Sequence, residues 1–509
     1  SQPPATGSTD RPNIVIIMAD DMGYSDIGAY GAEIGTPHLD RLAETGLRFR
    51  QFYNNAKCSP TRASLLTGLY PHQAGMGDLA NGTPGQPGPY QGYLADNSVT
   101  MAEVLRTAGY RTYMSGKWHV GDLPEHWPHS RGFDRYFGLI SGATSFFELL
   151  PEPGRSRQMV LEDRLWQPTG DGFYATDAYN DYAADRIREH RSGQPDRPFF
   201  LYVAHTAPHF PLHALPEDIA RYADRYRAGW DRVREERYRR MGQLGIVGDR
   251  HVLSPRPSTV PAWEDAENKD EWARLMAVYA AMIDRMDQGI GRILRALDET
   301  GARDNTLILF LSDNGGTAEQ VAGRGLNDPN VPIGARGSYV AYLEPWANVS
   351  NTPFRLYKNW VHEGGIITPL IANWPRGISR HGQLIDEAGH VIDLMPTVLE
   401  LARVPYPALV EDRTLHPIEG RSLMPVFRGG TLDRQAPLYW AYGGNWAIRE
   451  GDWKLAHDRR RPDRLELFNL REDPAEARDV AADYPARVAE LQARWQAWAE
   501  RVRAREAKR

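Results

Sequence analysis

The first ordered pattern along the chain is Asn13–Ala19 (NIVIIMA), apolar after its first position and rich in β-branched residues. Such a continuous run predicts a strand buried on both faces. Thr36–Gly46 (TPHLDRLAETG) then has helical spacing, with Thr36 as cap, Pro37 at the first helical position and Gly46 at the stop. A strand over Leu47–Tyr53 follows. The alternation repeats: a helix over Val99–Gly109 and a strand over Tyr110–Gly116, then a helix over Tyr174–His190 and a strand over Pro198–Ala204 (PFFLYVA). Glu271–Gly301 is a long amphipathic helix with Leu275, Val278, Met282, Met286 and Ile290 on one stripe. Thr306–Leu311 (TLILFL) and Thr368–Ala372 read as strands, and His390–Ala402 as a helix. Helices alternating with apolar strands imply an α/β architecture, a large and mostly parallel sheet sandwiched by helices.

Two stretches depart from this rhythm. Arg221–Gly245, dense in charge and aromatics, reads as a surface helical insertion, and Gly315–Asn359, rich in Gly, Pro and Asn, as a long loop of the kind that serves a site. Near the end, Leu438–Trp440, Trp446–Arg449, Trp453–Leu455 and Leu465–Asn469 have the pattern of short antiparallel strands, and Pro485–Arg503 that of a closing amphipathic helix. These predict a catalytic α/β domain over residues 10–428 and a small C-terminal α+β domain over 429–509, with no internal repeat.

Composition narrows the function. In 509 residues, 60 Lys+Arg stand against 66 Asp+Glu for a net charge of -6, which argues against nucleic acid as a partner. The hydrophobic fraction of 41% and charged fraction of 25% are those of a soluble globular protein. No apolar run approaches a membrane span, and the amino-terminal SQPPATGSTDRP lacks an apolar signal core, leaving bacterial periplasm and cytoplasm both open. The single cysteine, Cys58, excludes an intramolecular disulfide and a thiolate metal cluster. By default such a residue is a small buried hydrophobe.

Its surroundings change that reading. In a doubly covered parallel sheet, ligands bind beyond the carboxyl ends of the strands. Four polar clusters fall there: Asp20-Asp21, Lys117 with His119, His205 with His209, and Asp313-Asn314. Each pair alone could be a turn signal, but two acidic clusters at two strand ends repel one another and call for a cation. Hard oxygen donors from Asp20, Asp21, Asp313 and Asn314 favour calcium or magnesium over zinc. Pro60 suits the first turn of a helix, which places Cys58 at or just before its amino terminus, with Arg62 one turn on along the same face.

The block C-S-P-T-R-x-x-x-L-T-G at Cys58–Gly68 resembles the signature of the type I sulfatases of the alkaline phosphatase superfamily, in which this cysteine is oxidised to Cα-formylglycine. The resemblance spans nearly the whole chain. It includes NIVIIMADDMGYSD, GKWHVG at Gly116–Gly121, APHFPL at Ala207–Leu212, LSDNGG at Leu311–Gly316 and NTPFRLYKNWVHEGG at Asn351–Gly365. The last of these, with GWDRVREERYRRMGQLG, is similar to bacterial arylsulfatases.

This resemblance implies an alkaline-phosphatase-like mixed sheet and a calcium ion, in preference to magnesium, on Asp20, Asp21, Asp313 and Asn314. It implies that the nucleophile is a hydrated formylglycine derived from Cys58, with Asp313 taking its proton and Arg62 holding it. Lys117 and Lys358 would bind the sulfate oxygens, His209 would protonate the leaving oxygen, and His119 would deprotonate the remaining hydroxyl so that sulfate is expelled. His205 is at best a supporting residue, Lys57 and Thr61 support the Cys58 turn, and His38, His72 and His362 are structural or rim positions.

The expected substrate is a small-molecule sulfate ester, an aryl sulfate above all, and the expected partner is a formylglycine-generating or anaerobic sulfatase-maturating enzyme. A phosphonate monoester or phosphodiester hydrolase using the same formylglycine is the enzymatic alternative. A non-catalytic sulfate- or glycan-binding protein ranks below both, because every candidate catalytic position holds a competent residue.

Overall fold

Eleven strands among the described residues form one sheet: β1 (Asn13–Ala19), β2 (Leu47–Tyr53), β3 (Arg111–Gly116), β4 (Arg135–Leu139), β5 (Met159–Leu161), β6 (Arg164–Trp166), β7 (Phe199–Ala204), β8 (Thr306–Ser312), β9 (Ile367–Asn373), β10 (Gln383–Ile385) and β11 (Gly389–His390). Their order is β10-β2-β9-β8-β1-β7-β3-β4-β5-β6, with β11 also on β2. The computed structural model describes residues 11–81 and 85–505. Most of the amino-terminal stretch read for a signal core, and residues 10 and 506–509 of the two expected domains, lie outside the described residues.

The longest apolar runs occupy the centre, where β8, β1, β7 and β3 are adjacent and parallel. Register aligns their carboxyl ends: Ala19 faces Ser312, Met18 faces Ala204, and Gly116 faces Ala204. β9 runs antiparallel between β8 and β2, and β5 and β6 are antiparallel at the far edge, so the sheet is mixed.

Alternation along β1 divides the core in two. Val15, Ile17 and Ala19 enter one cluster, and Ile14, Ile16 and Met18 the other. Each fully buried Val, Ile or Leu here contributes roughly 1.5–3 kcal/mol. The first face is covered by the Ala175–Gly193 and Lys269–Glu299 helices. These approach closely at Gly289, where a Cβ would lie 2.0 Å from the Asn180 amide. The Cys58–Thr67, Met101–Thr107 and Leu394–Ala402 helices cover the second face.

The expected surface insertion is exposed on one face and buried on the other. Its helix, Trp230–Gln243, buries Trp230, Arg234 and Arg237. The Arg237 guanidinium is fully enclosed and pairs with Asp26 at 2.6 Å and Glu33 at 2.7 Å. A charged helix can bury one face when each inward cation meets a carboxylate or, as for Arg234, backbone carbonyls.

After a short hairpin, β12 (Leu409–Val410) with β13 (Arg413–Thr414), the antiparallel sheet β14 (Leu438–Tyr442), β15 (Asn445–Glu450), β16 (Trp453–His457) and β17 (Leu465–Asn469) carries the Pro485–Val502 helix. Trp446 stacks on Trp495 of that helix at 4.3 Å. The second sheet shares the first apolar cluster of the main sheet, and Trp440 Nε1 donates to the Asn54 carbonyl at 2.7 Å. No helix among the described residues is long and apolar enough to cross a membrane.

Candidate active site

Gly116 ends β3 with φ 104°, and a Cβ there would stand 1.9 Å from the Ala204 carbonyl oxygen. Only glycine permits that approach, and it lets the Lys117 amide donate to the same carbonyl at 2.7 Å. Asp21 (φ 62°) and His119 (φ 58°) are also left-handed, a conformation costing non-glycine residues on the order of 1 kcal/mol. Its recurrence at two strand ends marks the place where side chains are aimed rather than merely packed.

From the level ends of β8, β1, β7 and β3, Asp313-Asn314, Asp20-Asp21, His209 and Lys117 converge, all buried. Lys117 Nζ lies 2.7 Å from Asp20 Oδ2, and Lys358 Nζ 2.8 Å from Asp21 Oδ1. Arg62 Nη2 is 2.8 Å from Asp313 Oδ2 and 3.6 Å from Asp20 Oδ1, while its Nη1 donates to the Lys117 carbonyl. The Asp21 amide donates to Asp313 Oδ1 at 3.1 Å, and Asn314 Nδ2 to Asp21 Oδ1 at 2.7 Å.

Burial dominates the electrostatics. It pushes the Asp20 carboxyl well above the usual carboxylate range, against the pull of Lys117. Asp313 is instead held below it: burial opposes its charge, but Arg62, Lys117 and Lys358 together prevail. Burial opposes the charges on Lys358 and Arg62, yet Asp21 with Glu319 sustains the first and Asp313 with Asp20 the second. His119 and His209 are driven far down by burial and by neighbouring cations, so both rest neutral.

Three buried oxygens in this cluster, Asp20 Oδ1, Asp21 Oδ2 and Asn314 Oδ1, accept no hydrogen bond from the protein. Orphaned buried acceptors are costly, and a set of hard oxygens fits a divalent cation. Asp20, Asp21 and His209 place one ligand atom each within 4.8 Å of one another, with His209 Nε2 3.5 Å from Asp21 Oδ2. His209 thus adds a nitrogen to the edge of an otherwise oxygen-lined group.

Cys58 is the first residue of its helix, 3% exposed at the floor of a cavity of about 510 Å³. Its turn is fixed from both sides: Thr61 Oγ1 accepts from the Asn55 amide at 2.9 Å, and Ser59 Oγ donates to the His119 carbonyl at 2.7 Å. His119, His209 and Lys358 line the same cavity. Gly142 makes room for His119, since a Cβ there would touch the imidazole at 2.7 Å.

Every predicted site residue is therefore in one neighbourhood, and the cavity adds Glu319. Glu319 accepts from Lys57 Nζ at 2.8 Å and Asn359 Nδ2 at 3.1 Å. Burial works against its charge, but Lys358 and Lys57 hold its carboxyl far below the usual range. Its signal was an acidic residue in the long loop after Asp313, too ordinary to single out. His205 lies beneath the cavity, with Nε2 2.9 Å from Asn180 Oδ1. His72 packs against Trp498, His362 bonds Glu466 at 2.9 Å, and His38 sits over Gly291.

Comparison with known proteins finds matches over most of the chain. The family model described as Sulfatase matches residues 12–404, and one described as N-sulphoglucosamine sulphohydrolase, C-terminal, matches 354–504. An arylsulfatase of Klebsiella aerogenes is 37% identical over 84% of this chain and 95% of its own length. An uncharacterized sulfatase of Schizosaccharomyces pombe is 32% identical over 95% of this chain and 93% of its own. Among solved structures, the crystal structure of Ps i-CgsB superposes with a TM-score of 0.69 at 27% identity, covering 96% of this chain and 92% of that one. With a family model matched over most of its length and an arylsulfatase relative at 37% identity, the chain belongs to the sulfatase family of the alkaline phosphatase superfamily and is a sulfuric ester hydrolase.

Proposed function

We propose that this chain hydrolyses small sulfate monoesters, aryl sulfates among them, by way of a Cα-formylglycine made from Cys58. A divalent cation, calcium in preference to magnesium, would be held by Asp20, Asp21, Asp313 and Asn314. The observation that carries the reading is the convergence of three unbonded buried oxygens and the Cys58 side chain with Lys117, Lys358 and His209. The aryl preference is supported by similarity to the Klebsiella arylsulfatase. Maturation would require a formylglycine-generating or anaerobic sulfatase-maturating enzyme in the producing cell.

A cation held there would supply Lewis acidity, favouring loss of a proton from the nucleophile and offsetting charge on the ester. Formylglycine supplies a carbon that carries a nucleophilic hydroxyl and can release sulfate without water having to attack sulfur. The chain does the rest. Arg62, pinned by Asp313, keeps the Cys58-derived side chain facing the carboxylates. Asp313, kept ionised, can accept the nucleophile's proton. Lys117 and Lys358, now paired with Asp20 and Asp21, are placed to bind sulfate oxygens once those carboxylates turn to the cation.

His209 Nδ1 donates to the Phe210 carbonyl, which leaves Nε2 as the atom facing the reaction. That nitrogen can give a proton to the leaving oxygen only as imidazolium, a form the arriving anionic ester favours. His119, resting neutral with Nδ1 unpartnered in the protein, is suited to accept a proton when sulfate departs.

Matched 4-nitrophenyl sulfate, aryl phosphonate monoester and aryl phosphodiester test the reading. It expects the highest kcat/KM on the sulfate; a phosphodiester favoured by orders of magnitude would replace it with the alternative hydrolase.

A further inference from the structure

Beyond the reacting end, the same cavity has a second charged wall that neither Cys58 chemistry nor the cation uses. Arg155, Arg157 and Arg324 all line it. Their ion-paired carboxylate among the described residues is a single one, Glu152, at 3.3 Å from Arg155, 2.5 Å from Arg157 and 3.4 Å from Arg324. Glu152 is buried and saturated by these contacts. Of the other carboxylates lining the cavity, Glu319 is paired with Lys57, and Asp122 has its pKa raised to about 6 by burial against the pull of Arg157. Three guanidinium groups thus oppose two carboxylates, and the wall stays net positive even with Asp122 ionised.

The wall is built rather than incidental. The Arg157 side chain is only 8% exposed and that of Arg324 19%. The Arg324 guanidinium lies 5.0 Å over the Phe210 ring, which holds its plane and ties it to the residue next to His209. Arg155, with a side chain 49% exposed, stands at the mouth. A cavity of about 510 Å³ leaves room beyond one sulfate for a ring whose substituents reach this wall. A simple neutral aryl group would leave these three cations sharing Glu152 and Asp122 alone.

We propose that Arg155, Arg157 and Arg324 form a second anion subsite, so that the preferred substrate is a sulfate ester whose leaving group carries a further carboxylate or sulfate. This rests on the sulfate-ester reading above and deepens it from a neutral aryl sulfate to a polyanionic one. Guanidinium groups suit both anions because they bind planar carboxylate and tetrahedral sulfate oxygens by paired N–H donors.

Two aryl sulfates differing only by a ring carboxylate or carboxamide, and a third with a second sulfate, test it on the intact, matured enzyme. The subsite predicts kcat/KM roughly tenfold or more higher for the anionic esters, expressed in KM and weakened by salt. Arg155→Gln and Arg324→Gln, partly exposed and tolerant positions, should each bring the anionic-to-neutral ratio towards one. Non-hydrolysable aryl sulfonates bearing carboxylate or carboxamide give the same ratio by calorimetric binding, independent of turnover. A wild-type ratio near one, or a ratio that survives both substitutions, overturns the subsite. Loss of hydrolysis on all esters with the binding ratio intact would overturn the hydrolase reading and leave the subsite supported. If the disulfated ester is favoured and the carboxylate is not, the subsite stands as a sulfate site.

Discussion

Arg62 Nη2 stands 2.8 Å from Asp313 Oδ2, with neither side chain exposed to solvent. The pair links the helix that begins at Cys58 to the strand end that bears two expected cation ligands. Because burial penalises each charge alone, neither residue is neutral in effect when the other is removed.

Arg62→Met should therefore cost about 3–5 kcal/mol of stability by leaving Asp313 and Asp20 buried beside one fewer cation. It should also lower kcat/KM roughly 100-fold or more. Denaturant unfolding and steady-state kinetics on one preparation check both effects. A variant with wild-type stability would mean that the carboxylates are satisfied without Arg62.

Removing divalent cations should destabilise the fold as well as abolish turnover, because three buried acceptors lose the group that satisfies them. With cation at 100-fold above its dissociation constant the loss is about 2.7 kcal/mol. Melting curves after chelation, then after adding back calcium or magnesium, should show fuller recovery with calcium. Equal recovery with both would contradict the preference.

His213 gives a pH dependence away from the site. It is buried, accepts from the Phe146 amide at Nδ1 and donates to the Ser338 carbonyl at Nε2, and burial lowers its pKa to about 4. The unfolded chain takes up that proton near pH 6.5, so the contribution is complete above 6.5 and is lost as pH falls towards 4. The loss is roughly 3 kcal/mol over that window. His213→Asn should flatten the fall in unfolding free energy between pH 7 and 4.5 relative to wild type. Identical slopes would refute the assignment.

Gly116→Ala would place a Cβ 1.9 Å from the Ala204 carbonyl at a φ of 104°. The expected cost is roughly 2–4 kcal/mol, from strain and overpacking together. Since Lys117 follows directly, the melting temperature and kcat should fall together. Loss of one without the other would show that the turn does not position Lys117.

The central strands were legible in the sequence because β1, β7 and β8 are continuous apolar runs, and burial on both faces requires that pattern. The strands β4, β5, β6, β10 and β11 were not, being only a few residues long, and β10 and β11 moreover pair with the distant β2. Asp20, Asp21, Lys117, Asp313 and Asn314 were legible as polar or charged groups placed at the ends of expected strands. Glu319 and the three arginines around Glu152 were not, since each comes from irregular backbone and only the folded cavity brings them together. Arg237 shows the same limit: nothing in its charged helix reveals that Asp26 and Glu33 wait on its inner face.

The proposed reacting group at position 58 is an aldehyde rather than a thiol, and peptide mass spectrometry of the active enzyme measures this directly. The Cys58 peptide should be lighter by the mass of hydrogen sulfide less that of oxygen, in a fraction that tracks specific activity across preparations. A fully active preparation whose Cys58 peptide retains the unmodified thiol mass would contradict it.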